Sequence, residues 1–100
     1  MSENVTATVL KKAKSFLGNM TRDERRFARG IRRDAADAMD MGRIEFMRAV
    51  VAGDEDAIDE LKLAIVDADD SLMFDIERFQ EIFTMILEFF RAFMLIFGGL

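Results

Sequence analysis

Apolar and charged positions along this chain of 100 residues recur with the period of a helix and sort into three segments. In the first, about 4–17, Val5, Val9, Ala13, Phe16 and Leu17 form a stripe flanked by Lys11, Lys12 and Lys14, and Gly18 supplies a stop. The second opens on "TRDE" at 21–24, a capping box in which Thr21 and Glu24 exchange hydrogen bonds across the first turn. Phe27, Ile31, Ala35, Ala38, Ile44, Met47 and Val51 then carry an apolar stripe to about Ala52, where Gly53 ends it. Ala28, Ala35, Gly42 and Ala49 fall seven residues apart, a spacing of small residues that lets backbones approach. Gly30 and Gly42 inside such a helix each cost about 1 kcal/mol relative to alanine.

The third segment starts at Asp54 with "DEDAIDE", acid in the first turn where the helix dipole favours it. Ile58, Leu61, Ile65, Ala68 and Leu72 make a seam that resets at Ile76 and runs on to Phe97, ahead of Gly98 as a stop. "DADDS" at 67–71 offers caps for a fresh helix, but the stripe passes through it with a one-residue slip, which favours one helix over 54–97. The pattern predicts a single all-α domain over 1–100, with helices at about 4–17, 21–52 and 54–97. The two long helices form an antiparallel hairpin, the short one lies at its open end, and oligomerisation completes a helical bundle.

The closing stretch "FQEIFTMILEFFRAFMLIFGGL" carries six of the ten phenylalanines. With Glu77 at zero and about 100° per residue, Glu81, Thr84, Glu88 and Arg91 fall on one side. Phe79, Ile82, Phe83, Ile86, Phe89, Phe90, Phe93 and Phe97 take the other, as an apolar interface. Simple membrane spanning does not follow. The eleven Ile, Leu and Phe residues of 82–100 contribute about −0.3 to −0.6 kcal/mol each on insertion, while Glu88 and Arg91 cost about 2.5–3.5 each. Those sums nearly cancel. In an assembly, Glu88 and Arg91 are expected as a buried ion pair. Leaving four or five such rings wet would forfeit about 1.5–3 kcal/mol apiece, so a partner is expected to cover them.

Charge is segregated. Residues 1–33 carry nine Lys or Arg against three acids, and residues 34–100 carry five against sixteen, for a net −5. "TRDERRFARGIRRD" holds Arg22, Arg25, Arg26, Arg29, Arg32 and Arg33 within about 120° of arc, opposite Phe27 and Ile31. Arginine's planar fork suits phosphate and carboxylate alike. Anionic headgroups, nucleic-acid phosphate and an acidic protein surface are the three kinds of contact considered, beside a solvated face with intrahelical pairs.

There is no Cys, His, Pro, Trp or Tyr. Without His and Cys the usual zinc ligands, general base and nucleophile are missing. Asp34, Asp37 and Asp40, and the run Asp67, Asp69, Asp70, have no convergent partners for a metal. No enzyme activity, metal, cofactor or small-molecule substrate is expected. "VTATVLKKAKSFL" is not a secretory h-region, so a cytoplasmic or virion- or membrane-associated location is expected. The first functional expectation is a structural or adaptor subunit, viral or membrane-proximal, that self-assembles or docks through the Phe face. A membrane-binding or membrane-perturbing protein is the alternative, and a nucleic-acid-associated protein the third.

Overall fold

A computed structural model describes residues 2–97, with side chains described from Thr6 onward. The helices are α1 (Ser2–Asn19), α2 (Arg22–Ala38), α3 (Arg43–Val51), α4 (Glu55–Ala68) and α5 (Ile76–Phe97), with a 3-10 turn at Asp70–Met73. No strand occurs among the described residues, and the protein is all-helical. The side chain of Val5 and the stop at Gly98 lie outside the described residues.

Each of the two long predicted helices is broken once. The 21–52 helix stops at Ala38 because Asp40 turns into the left-handed region at φ 53°. Its amide donates to Asp37 O at 3.1 Å and the Met41 amide to Ala36 O at 2.9 Å, the paired bonds of a Schellman motif. Gly42, read above as an interior residue, is the N-cap of α3, and Glu45 reaches back to its amide at 3.4 Å. Met41 and Phe46 occupy the two positions of a hydrophobic staple.

α3 ends by the same device. The Gly53 amide donates to Val50 O and the Asp54 amide to Ala49 O, both at 3.0 Å, with Gly53 at φ +88°. Asp54 then caps α4 by accepting from the Ala57 amide at 3.0 Å.

The 54–97 helix breaks at Asp69, which is extended (φ −149°, ψ 94°). Its carboxylate accepts from the Ser71 amide at 3.2 Å and the Ser71 hydroxyl at 2.6 Å. Asp75 starts α5, its carboxylate accepting from the Arg78 amide at 3.1 Å. Between these caps Leu72 is buried, whereas Met73 and Phe74 are exposed, as is Ile76 at the start of α5.

The two breaks decide the packing. α2 lies on α4, with Ala28, Ala35 and Ala36 meeting a helix that buries Ala57 and Ala64, so small residues set a close approach. α3 folds onto α5 and sets Phe46 edge-on to Phe90, ring centroids 6.0 Å apart at 83°. α1 runs along the other side of α5. Ile31, Phe46, Met47, Leu61, Ile65, Ile86, Phe90 and Met94 form one fully enclosed core.

The candidate arginine face

The capping box that opens α2 is present: the Glu24 amide donates to Thr21 Oγ1 at 3.0 Å, and the Thr21 amide donates to Glu24 Oε1 at 2.8 Å. These bonds lower the Glu24 pKa below the usual carboxylate value. A depressed carboxylate pKa contributes stability above the unfolded pKa and loses it as pH falls through the folded one. The stability gap between the wild type and Glu24→Gln is therefore expected to close on acidification through that lowered value. A gap that stays constant in urea melts across this range would contradict it. Thr21→Ala is expected to cost about 1 kcal/mol at neutral pH.

With α2 started at Arg22, its arginines project along three turns. Arg22, Arg26, Arg29, Arg32 and Arg33, with Gly30, line a basin of about 500 Å³ that Arg43, the first residue of α3, closes from the side. No acidic residue lines it. Arg25 falls instead into a neighbouring groove with Arg22, Arg29, Leu17, Phe89, Phe93 and Phe97. The sequence pattern placed six of these arginines on one face, and the helix break adds a seventh, Arg43, that the three-helix reading assigned to a helix interior.

Self-neutralisation does not occur. Among the described residues two ion pairs form, Arg33–Asp34 at 3.1 Å and Arg91–Glu88 at 3.0 Å. Among the described residues no carboxylate lies within ion-pair distance of Arg22, Arg25, Arg26, Arg29, Arg32 or Arg43. Arg29 Nε donates to Arg25 O at 3.3 Å, so that contact orders the side chain and leaves its charge uncompensated.

Arg32 is the unusual member. It is only 8% exposed. Its Nη1 donates to Met47 Sδ at 3.5 Å, and its guanidinium lies 5.9 Å and 5.4 Å from the ring centroids of Phe89 and Phe93. Nε is buried with no hydrogen-bond partner. Burial, then Arg43, then Arg29 push its pKa down from the ordinary guanidinium value. The sequence carried a signal for this. On the helical wheel Arg32 is the arginine closest to Ala28 and Ala35, about 40–60° away, and both alanines are fully buried.

The expected Phe interface is mostly interior. Ile86, Phe89 and Phe90 are buried, and Phe79, Ile82, Phe83 and Phe93 are half-buried against the same core. Of the eight positions only Phe97 is exposed, at 67%. The physical reason is the break at Met39–Gly42: it swings α3 onto α5, and α3 and α1 together cover rings that an unbroken hairpin would leave bare. Glu88 and Arg91 do pair, but on the surface, each side chain about half exposed, rather than buried. The exposed apolar cluster lies elsewhere, at Met73, Phe74 and Ile76, where continuous-helix periodicity placed no turn.

Among the described residues no cluster of His, Cys, Asp or Glu suits a metal, and no helix is long and apolar enough to cross a membrane. No protein-family model, characterised protein or solved structure matches the chain.

Proposed function

We propose that the protein is a non-enzymatic adaptor that docks on an anionic membrane surface through the arginine face of α2. One observation carries the reading: the groove beside the basin combines Arg22, Arg25 and Arg29 with Leu17, Phe93 and the exposed ring of Phe97. Cationic and aromatic groups side by side suit the boundary between headgroups and acyl chains, where rings partition and guanidinium groups meet phosphate. Each basic residue near such a surface contributes about 1 kcal/mol of attraction, screened by salt. The acid-rich remainder of the chain, sixteen acids against five bases over 34–100, opposes any other orientation on a negative surface. Self-assembly through the Phe seam is the weaker reading, since that seam is occupied within one chain.

Vesicle flotation tests the proposal. The chain should float with vesicles containing phosphatidylserine and not with neutral phosphatidylcholine, and about 1 M salt should release it. Replacing Arg22, Arg25 and Arg29 by Ser should abolish flotation while circular dichroism stays unchanged. Absence of flotation at low salt, or preference for single-stranded RNA over vesicles, would overturn it.

A further inference from the structure

The basin between α2 and the start of α3 differs in kind from the groove beside it. Its lining consists of six arginines and the backbone of Gly30, with no apolar side chain and no acid. Five of the six arginines have no carboxylate partner, Arg33 being the exception through Asp34. Like charge concentrated in this way gives the basin a positive potential that attracts anions, on a chain whose net charge is −5.

Arg32 supplies a second and independent observation. The residue is 8% exposed and, among the described residues, its Nε is out of solvent with no hydrogen-bond partner and its charge meets no carboxylate. It lines the basin. Phe89 and Phe93 contact its guanidinium from α5, and Met47 on α3 accepts from its Nη1. The group is thus fixed in place before any ligand arrives, which lowers the ordering cost of binding. Arg43 adds the positive end of the α3 dipole at the rim.

The chemistry of the lining selects the ligand. A carboxylate offers one charge and one fork-to-fork contact, too little for this many guanidinium groups. A nucleic-acid base would find no aromatic side chain to stack on here, and an acyl chain no apolar side chain to pack against. The volume, about 500 Å³, falls in the range of small-molecule sites. Several phosphates held close together on a small scaffold satisfy all three conditions.

We infer that this basin is a binding site for a compact polyphosphate group, free in solution or carried as a lipid headgroup, with Arg32 and Arg43 as its central contacts. The inference rests on the reading that these arginines meet phosphate, and it specifies which phosphates.

Titration calorimetry of the full chain at about 150 mM salt with tripolyphosphate and with inositol trisphosphate should give saturable binding at one site. Citrate should bind at least tenfold more weakly. Arg32→Met and Arg43→Gln should each weaken tripolyphosphate about 10- to 100-fold, as loss of one charged hydrogen-bonding group does. Arg43 is exposed, so its variant keeps the test decisive should Arg32→Met perturb the fold. Flotation with phosphatidylinositol bisphosphate vesicles, against phosphatidylserine vesicles of equal surface charge, separates the sources. Selective flotation assigns the site to the lipid headgroup, and tight soluble binding without selective flotation assigns it to a free polyphosphate. Citrate binding as tight as tripolyphosphate, or wild-type affinity in both variants, overturns the inference. If phosphatidylserine flotation persists while tripolyphosphate fails to bind, the site falls and the membrane reading stands. If tripolyphosphate binds as described but neither vesicle floats the chain, the membrane reading falls and the site stands.

Discussion

Phe90→Ala is expected to lower the folding free energy by about 3–5 kcal/mol and the thermal midpoint by at least roughly 12 °C. Phe90 is fully enclosed, edge-on to Phe46 from α3 and 6.2 Å from the Phe89 ring. Removing it deletes a large apolar side chain from water-free packing and leaves a void between α3 and α5. Since stabilities of small domains run about 5–15 kcal/mol, such a loss is a large share of the total. Phe74→Ala is the natural control. That ring is 90% exposed on the turn between α4 and α5, so its loss should change stability by about 0.5 kcal/mol or less. The comparison also separates two views of the Phe-rich segment. If the seam were chiefly an association surface, Phe90→Ala would leave the fold intact and only weaken association. A large drop in the urea midpoint, independent of protein concentration, is the outcome consistent with a core role.

Why the seam reads in sequence as surplus apolar surface, and turns out to be core, comes down to two turns of unequal legibility. α2 and α3 both end in a Schellman motif with a left-handed residue at the position after the cap. At the end of α3 that residue is Gly53, and glycine announces a left-handed turn because it has no Cβ to clash. The sequence therefore placed the Gly53 turn and the Asp54 start correctly. At the end of α2 it is Asp40, and aspartate announces nothing of the sort. It tolerates the left-handed region, but it is far more often found elsewhere. Two residues on, Gly42 fitted a seven-residue spacing of small residues equally well as helix interior.

The break before α5 was hidden differently. Asp69 and Asp75 each cap through a carboxylate, yet both sit inside a stretch whose apolar positions keep helical spacing with one slip. That slip is the trace of Asp70–Met73, where the chain tightens to a 3-10 turn and the phase resets. By contrast, Thr21 with Glu24 was unambiguous, because both halves of the capping box are encoded by side chains three residues apart. Local chemistry written in two side chains at a fixed spacing was legible, and a lone capping aspartate within a periodic stretch was not. Tertiary consequences of one missed turn were not: they moved α3 onto α5, enclosed the rings, and brought Arg43 beside Arg32.

Arg32→Met is expected to stabilise the protein by about 1–3 kcal/mol while it weakens the polyphosphate response. The wild-type residue keeps a full charge beside Phe89 and Phe93, and nothing of opposite sign answers it. Contacts with the two rings recover some of the cost, since a guanidinium over an aromatic face gains about 0.5–2 kcal/mol. They leave Nε unpartnered and the repulsion from Arg43 and Arg29 in place. Methionine follows much the same path as the aliphatic stem of arginine and places a soft sulfur against Met47 and the rings. Alanine would be a poorer choice, because it would open a cavity and mix a packing loss with the electrostatic gain. Wild type and variant should therefore differ by unequal amounts in two conditions. In buffer alone, urea melts should place the variant above the wild type. At a tripolyphosphate concentration that saturates the wild type, binding linkage should raise the wild type more than the variant. A buried charge retained at the expense of stability is what a functional site leaves behind in a small fold. A variant less stable than the wild type in buffer would mean that the ring and sulfur contacts already satisfy Arg32, and that its place is structural.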